Sequence, residues 1–208
     1  MILIGQYDSS FVRRVGIALR LYGLTFEHRP WSVFSDAARI RPLSPLMRVP
    51  VLVLDDLDVL VDSHLILAHL ESAVPAERSL WPAAEPDRHR AFRVAGLATG
   101  LADKGVSLFY ERVLHKEISA LWADRCRSQI SGALAMLEED RAERQSAWWF
   151  GDAIGHADVA VACAIRHTTE ALPDVVAMQD YPELRAHCER LEALPVFREI
   201  SQPFIPPA

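Results

Sequence analysis

The hydrophobic period of this chain changes once, and the change divides it. Up to about residue 74, short strand-like apolar runs alternate with helical patterns. Beyond a stretch punctuated by Pro75, Pro82 and Pro86 the strand signals stop and only helical spacing continues. Such a pattern predicts an α/β unit followed by an all-α unit, because a strand needs lateral partners that a helical segment cannot supply. The expected domains are residues 1–76 and 86–208, with Leu80-Trp81 in the linker between them.

Within the first half, Ile2 to Gly5 is a brief strand, and Phe11, Val15, Ala18, Leu19 and Tyr22 then recur on one helical face that Gly23 closes. Thr25 to Arg29 is a second strand, and Trp31 to Ile40 is irregular with one helical turn. Val51 to Leu54 and Val59 to Val61 flank the acidic turn Asp55-Asp56-Leu57-Asp58 and read as a hairpin; Ser63 to Val74 is the next helix. The order β-α-β-α-β-β-α predicts a four-stranded mixed sheet covered by helices. In the second half, Asp87 to His115 and Ile118 to Glu143 are long helices. Ala157 to Thr169 is almost wholly apolar and must be buried on every side, at the centre of its domain. Pro182 opens a further helix with Leu184, Cys188, Leu191 and Leu194 inward; Pro195 ends it, and the tail from Pro203 is not regular.

The 208 residues are 50% hydrophobic, enough for a substantial core, and the net charge of -6 argues against nucleic acid as a partner, since phosphate binding needs a basic face. No apolar run reaches the roughly 18–20 residues of a membrane span, and Met1 leads straight into Ile2-Leu3-Ile4 with no basic region, so no membrane association and a cytoplasmic location are expected. Cys126, Cys163 and Cys188 have no CxxC spacing and read as structural thiols. The histidines, including His64, His69 and His156, form no metal-ligand pattern, so no metal is expected and they are assigned surface or capping roles.

Two places in the first half carry chemistry. Arg48-Val49-Pro50 enters the apolar run at Val51, and a proline in a tight turn before a strand is where a cis peptide bond is most plausible. Val49 could then offer its own N–H and C=O to an extended ligand, as in strand addition. Asp62-Ser63, at the head of the following helical pattern, would supply a carboxylate for an ammonium group, and a hydroxyl with free helix N–H groups for a carboxylate. Together these read as a site for a short peptide. The second place is Ser9, where the first strand turns into the first helix. Its hydroxyl either caps that helix or, with the helix field, favours a ligand thiolate over the thiol.

Four strings in order, Ser9-Ser10-Phe11-Val12-Arg13, Pro45-Leu46-Met47-Arg48-Val49-Pro50, Asp62-Ser63 and Gly151-Asp152-Ala153-Ile154-Gly155-His156-Ala157-Asp158, resemble the cytosolic glutathione S-transferases, particularly bacterial members that use serine. The resemblance covers nearly the whole chain. It implies a thioredoxin-like N-terminal domain, a C-terminal helical-bundle domain, a homodimer, and glutathione as cosubstrate with none tightly bound. Carried onto this sequence, it makes Ser9 the catalytic residue that stabilises the thiolate and Val49 the backbone partner of the cysteinyl unit before cis-Pro50. Asp62 and Ser63 become the clamp on the γ-glutamyl end, with Arg48 near the glycine end. Tyr7 is a rival for the role of Ser9, as is the neighbouring hydroxyl of Ser10, which stands where the family often has proline. Met47 stands where the family often has glycine. Gly155 replaces a serine or threonine cap, and Asp158 reads as a folding residue.

The electrophile's pocket is expected between the domains, bounded by Tyr7, Phe11 and the helix face carrying Leu101, Asp103, Val106 and Tyr110. Trp148-Trp149-Phe150 is expected to pack ahead of the buried helix. The activity implied is a detoxifying transferase that adds the glutathione thiolate to a small hydrophobic electrophile. The alternatives are another glutathione-dependent reaction on the same site (reduction, peroxidase, isomerase, dehalogenase) or a non-catalytic binding module. The absence of cysteine at positions 9 and 10 counts against thiol–disulfide exchange.

Overall fold

Three-residue strands make the sheet: β1 (Ile2–Ile4), β2 (Glu27–Arg29), β3 (Val51–Val53) and β4 (Val59–Val61), in the order β2-β1-β3-β4. β1 runs parallel to β2 and antiparallel to β3, which is antiparallel to β4. This is the mixed sheet that the sequence pattern requires. The parallel pair needs a crossover, supplied by α1 (Ser10–Leu21). Ile4, Val51 and Val53 point to the face covered by Ile40 of α2 (Ala37–Ile40), with Trp31, Val33 and Leu43 around it. Leu3, of opposite parity, meets α1 at Gly16, and α3 (Ser63–Ser72) packs beside α1. Glu71 ties the far end together by accepting from both Tyr22 Oη and Ser79 Oγ.

The computed structural model describes residues 1–207, which divide into two compact units: Met1–Leu80 with the chain from Leu194 onward, and Trp81–Ala193. The segment after Leu194, grouped by its sequence with the helical half, thus packs in the sheet unit. Its cause is Arg13, a residue only 2% exposed, whose guanidinium must find acceptors. Nε donates to Ile200 O at 2.8 Å and Nη2 to Phe197 O at 2.9 Å, using carbonyls at the end of a short helix, Pro195–Glu199; Pro195, expected to end the helix before it, opens this one instead.

The helical unit contains α4 (Asp87–Leu114), α5 (Ala120–Ala142), α6 (His156–Ala171) and α7 (Pro182–Glu192), and Pro195–Glu199 is therefore α8. α6 is buried along nearly its whole length, and α4 approaches it at Gly105, where an added Cβ would stand 3.1 Å from Thr168 Oγ1. One carboxylate organises the start of α6. Asp158 accepts from Gly155 N at 2.9 Å and from Trp149 N at 2.8 Å, so it closes the helix and holds the tryptophan loop at once. Trp149 is fully buried, and its indole donates to Asp140 Oδ1 at 2.7 Å.

His64 and His69 lie at the surface as expected, but His156 and His187 of the helical unit do not. His156 is buried against Trp81, and His187, also buried, stands edge-on to Trp149 with Nε2 2.9 Å from Asp158 Oδ1. Consequently α7 turns His187 inward with Leu184 and Leu191, while its neighbour Cys188, expected inward, is only half-buried. The physical reason is the buried Asp158 carboxylate, which draws a polar ring into a core that leucine would otherwise fill. Among the described residues no helix is long and apolar enough to cross a membrane, and no three His, Cys, Asp or Glu side chains converge as a metal requires.

Candidate functional site

Strand register brings the two candidate places together. Ile4 is opposite Val51, and Val51 opposite Val61, so these residues form one row across β1, β3 and β4. The next residue of each strand outward from that row is Gly5, Pro50 and Asp62. All three strands therefore present their motif residues at one end of the sheet: β1 leads through Gln6–Ser9 into α1, β4 leads directly into α3, and Val49-Pro50 enters β3 beside them.

Gly5 is the joint. Its φ is +127°, and a Cβ there would stand 2.5 Å from Val12 Cγ2 and 2.8 Å from Val49 Cβ, distances no side chain can occupy. Its N–H donates to Arg29 O at 2.9 Å and its carbonyl accepts from His28 Nε2 at 2.8 Å. The loop before β3 bends with similar economy. Met47 lies in the left-handed region at φ +50°, at the position where glycine is usual, and the Val49–Pro50 peptide is cis. Pro50 is buried, Val49 half-buried and Arg48 exposed. Neither the N–H nor the C=O of Val49 is hydrogen-bonded among the described residues, which leaves both available to an extended ligand.

At the third corner Asp62 has φ +71° and ψ 126°, a combination favouring glycine, while its carboxylate caps α3 by accepting from His64 N at 2.8 Å. Ser63 turns inward. It is 2% exposed, and its hydroxyl accepts from Arg14 Nη1 at 3.4 Å, with the Arg14 side chain itself buried. The corner thus offers an exposed carboxylate and first-turn helix N–H groups outward, with a guanidinium behind them. The imidazole of His64 is held below its ordinary pKa, chiefly by burial and next by the charge of Arg14.

Ser9 precedes α1 in extended conformation (φ −70°, ψ 119°), half-buried, and its side chain makes no capping hydrogen bond. Ser10 is 4% exposed, and its hydroxyl is enclosed without a hydrogen-bond partner among the described residues. Tyr7 also turns inward: its ring stacks on His28 with centroids 3.8 Å apart and approaches Gly16 of α1, and burial pushes the phenol up to about 12. Phe11, on the first turn of α1, stays half-buried. In the helical unit Leu101 is buried, whereas Asp103, Val106 and Tyr110 keep partly exposed side chains.

The sequence matches the family model for the glutathione S-transferase N-terminal domain over residues 3–78 and the model for the C-terminal domain over residues 120–190. A GST-like protein of Escherichia coli K12, YibF, is 30% identical over 172 residues, covering 79% of this chain and 80% of its own. This chain belongs to the glutathione S-transferase family. A maleylacetoacetate isomerase of Pseudomonas aeruginosa is 29% identical with both chains covered in full. A glutathione S-transferase of Methylobacterium radiotolerans, solved in complex with glutathione sulfonate, superposes with a TM-score of 0.89 at 29% identity, over 100% of this chain and 98% of that one.

For this family member, two contributors at the sheet end had no signal strong enough to single out in the sequence. Gly5 looks like an ordinary strand terminus until Val12 and Val49 close on it. Arg14 is hidden in an arginine-rich helix and becomes notable only because it is buried beside Ser63.

Proposed function

We propose that this protein is a cytoplasmic glutathione transferase of the serine type, in which Ser9 stabilises the glutathione thiolate for attack on a small hydrophobic electrophile. The observation that carries the reading is the convergence of Ser9, Val49-Pro50 and Asp62-Ser63 at one end of the sheet, with the Ser9 hydroxyl not engaged as a cap and the Val49 backbone groups unpaired. Glutathione has matching parts in matching order. Its γ-glutamyl ammonium suits the Asp62 carboxylate and its γ-glutamyl carboxylate the first-turn N–H groups of α3, with Arg14 adding positive charge behind. The cysteinyl backbone pairs with Val49, Arg48 serves the glycine end, and the sulfur then falls to Ser9.

A free thiol with a pKa of about 8.5 is only a few per cent ionised at pH 7. A hydrogen bond from Ser9 and the N-terminal field of α1 both stabilise the anion, and a depression of roughly two units makes most of the thiol nucleophilic. The accessibility of Ser9 favours it over the enclosed Ser10, and the inward packing of Tyr7 favours it over the phenol. Within the sheet unit the electrophile is assigned to Phe11, which keeps partly exposed surface, with only the exposed edge of Tyr7 contributing. The family resemblance supports a homodimer.

Retention on immobilised glutathione, followed by turnover with a chlorodinitrobenzene electrophile, tests the assignment. Ser9→Ala is expected to lower kcat roughly a hundredfold with glutathione still bound. Unchanged turnover transfers the role to Ser10 or Tyr7, and failure to bind the column overturns the reading. A second reading, a glutathione-dependent isomerase, is favoured by the full-length match to maleylacetoacetate isomerase. The stoichiometry separates them: transfer consumes one glutathione per product, whereas isomerisation returns it.

A further inference from the structure

The loop that carries Ser9 is held from outside by the last residues of the chain. Arg13 clamps the base of the tail through Phe197 O and Ile200 O, and the Ile200 side chain lies over Gly16, where an added Cβ would stand 2.9 Å from Ile200 Cγ2 and 3.0 Å from Tyr7 Cε1. From there the chain runs on without regular structure. Tyr7 N donates to Gln202 Oε1 at 3.3 Å, and Ile205 N donates to Asp8 Oδ2 at 3.0 Å. Both residues immediately before Ser9 are therefore bonded to the same C-terminal strap, nearly two hundred residues away in the chain. Within the loop, Ser9 N donates to Gln6 O at 3.2 Å.

We propose that Gln202 and Asp8 are positioning residues for the thiol-activating serine, and that residues Ser201–Ile205 act as a strap that fixes where the Ser9 hydroxyl stands. The inference rests on the assignment of Ser9 above. A hydroxyl can stabilise a thiolate only within a narrow range of distance and angle, so a loop free to shift by about an ångström loses much of that effect while leaving the glutathione backbone contacts intact.

Gln202→Met keeps the length of the side chain and removes the acceptor; a chain ending at Ser201 removes both strap contacts, those of Gln202 and Ile205. Asp8→Ala breaks the second contact, whereas Asp8→Asn keeps an oxygen acceptor for Ile205 N–H. Gln202→Met and Asp8→Ala are expected to lower kcat with the chlorodinitrobenzene electrophile about tenfold, equivalent to about 1.4 kcal/mol, with the KM for glutathione within about twofold. Truncation is expected to lower it further, and Asp8→Asn to retain it. The ultraviolet absorbance of thiolate in the binary complex, titrated with pH, should move upward by about one unit in Gln202→Met. Hydrogen exchange at the Tyr7 amide, which reads the contact itself, should accelerate in the same variant. Wild-type kcat and an unmoved thiolate titration in both Gln202→Met and the truncated chain overturn the strap. A Ser9→Ala variant with unchanged thiolate overturns the assignment of Ser9, and the strap with it, so the two failures are distinguishable.

Discussion

The sheet end and the start of α6 both hold groups in place, by different means. At the sheet end the work is done by backbone conformations: Gly5 at φ +127°, Met47 at φ +50°, Asp62 at φ +71°, and the cis peptide before Pro50. At the start of α6 side chains hold the structure through Asp158, His187, Trp149 and Asp140, and the positive φ in the loop before it, +119°, falls on Gly151. The first arrangement leaves main-chain groups such as those of Val49 open to a ligand; the second turns the Asp158 carboxylate and the Trp149 indole onto partners within the helical unit. A backbone left open to a ligand is shaped by bending, and a closed region is tied through its side chains.

The largest test of this contrast is Gly5→Ala. A methyl group 2.5 Å from Val12 and 2.8 Å from Val49 must displace both, at a φ that side chains rarely adopt. The expected destabilisation is about 3–5 kcal/mol in urea unfolding, with loss of retention on immobilised glutathione. Wild-type stability would mean that the three corners are not locked together. Asp158→Ala is the counterpart in the helical unit. It strands the N–H groups of Trp149 and Gly155, so about 3 kcal/mol should be lost, with part recovered in Asp158→Asn. Glutathione affinity of the folded fraction should not change; a fall in affinity would break the separation of roles.

A smaller effect is expected with alkali. The Tyr7 phenol is pushed up to about 12 by burial, whereas the unfolded phenol ionises near 10. Its contribution is complete below pH 10 and is lost as pH rises toward 12, because only the unfolded chain releases the proton in that window. Tyr7→Phe should therefore remove about 2 kcal/mol of the alkaline loss of stability, read as urea midpoints against pH. On the acid side the sign reverses for His28, whose pKa is lowered by burial against the opposing effect of its bond to Gly5 O. Its contribution is present above about pH 6.5 and declines as pH falls, since the unfolded imidazole takes the proton first. The smallest effect is Met47→Gly. Relieving the left-handed methionine should stabilise the protein by about 0.5–1 kcal/mol in thermal unfolding without altering turnover.

Several elements were legible because their signals are local. Short apolar runs and the acidic turn between them locate β3, β4 and their hairpin, and Pro50 marks the cis bond because proline is almost the sole residue that tolerates one. Asp62-Ser63 announces a helix start, and the apolar run after Asp158 announces a buried helix. Other features depend on contacts between distant residues. Nothing near Tyr7 indicates that its ring turns toward His28 and Gly16, nothing around His156 or His187 distinguishes a buried imidazole from a surface one, and nothing at Pro195 indicates that the chain beyond it packs with the sheet.

The sequence by itself determined the two-part organisation, the order of the elements and the family, since periodicity and short motifs are properties of neighbouring residues. Tertiary structure alone decided that Gly5 must be glycine, that Ser63 and Ser10 turn inward while Ser9 does not, and that the C-terminal residues brace the loop before Ser9. These are matters of which atoms approach across long stretches of chain, and a close approach acquires its energy only once strand register and a buried arginine have brought those atoms within a few ångströms.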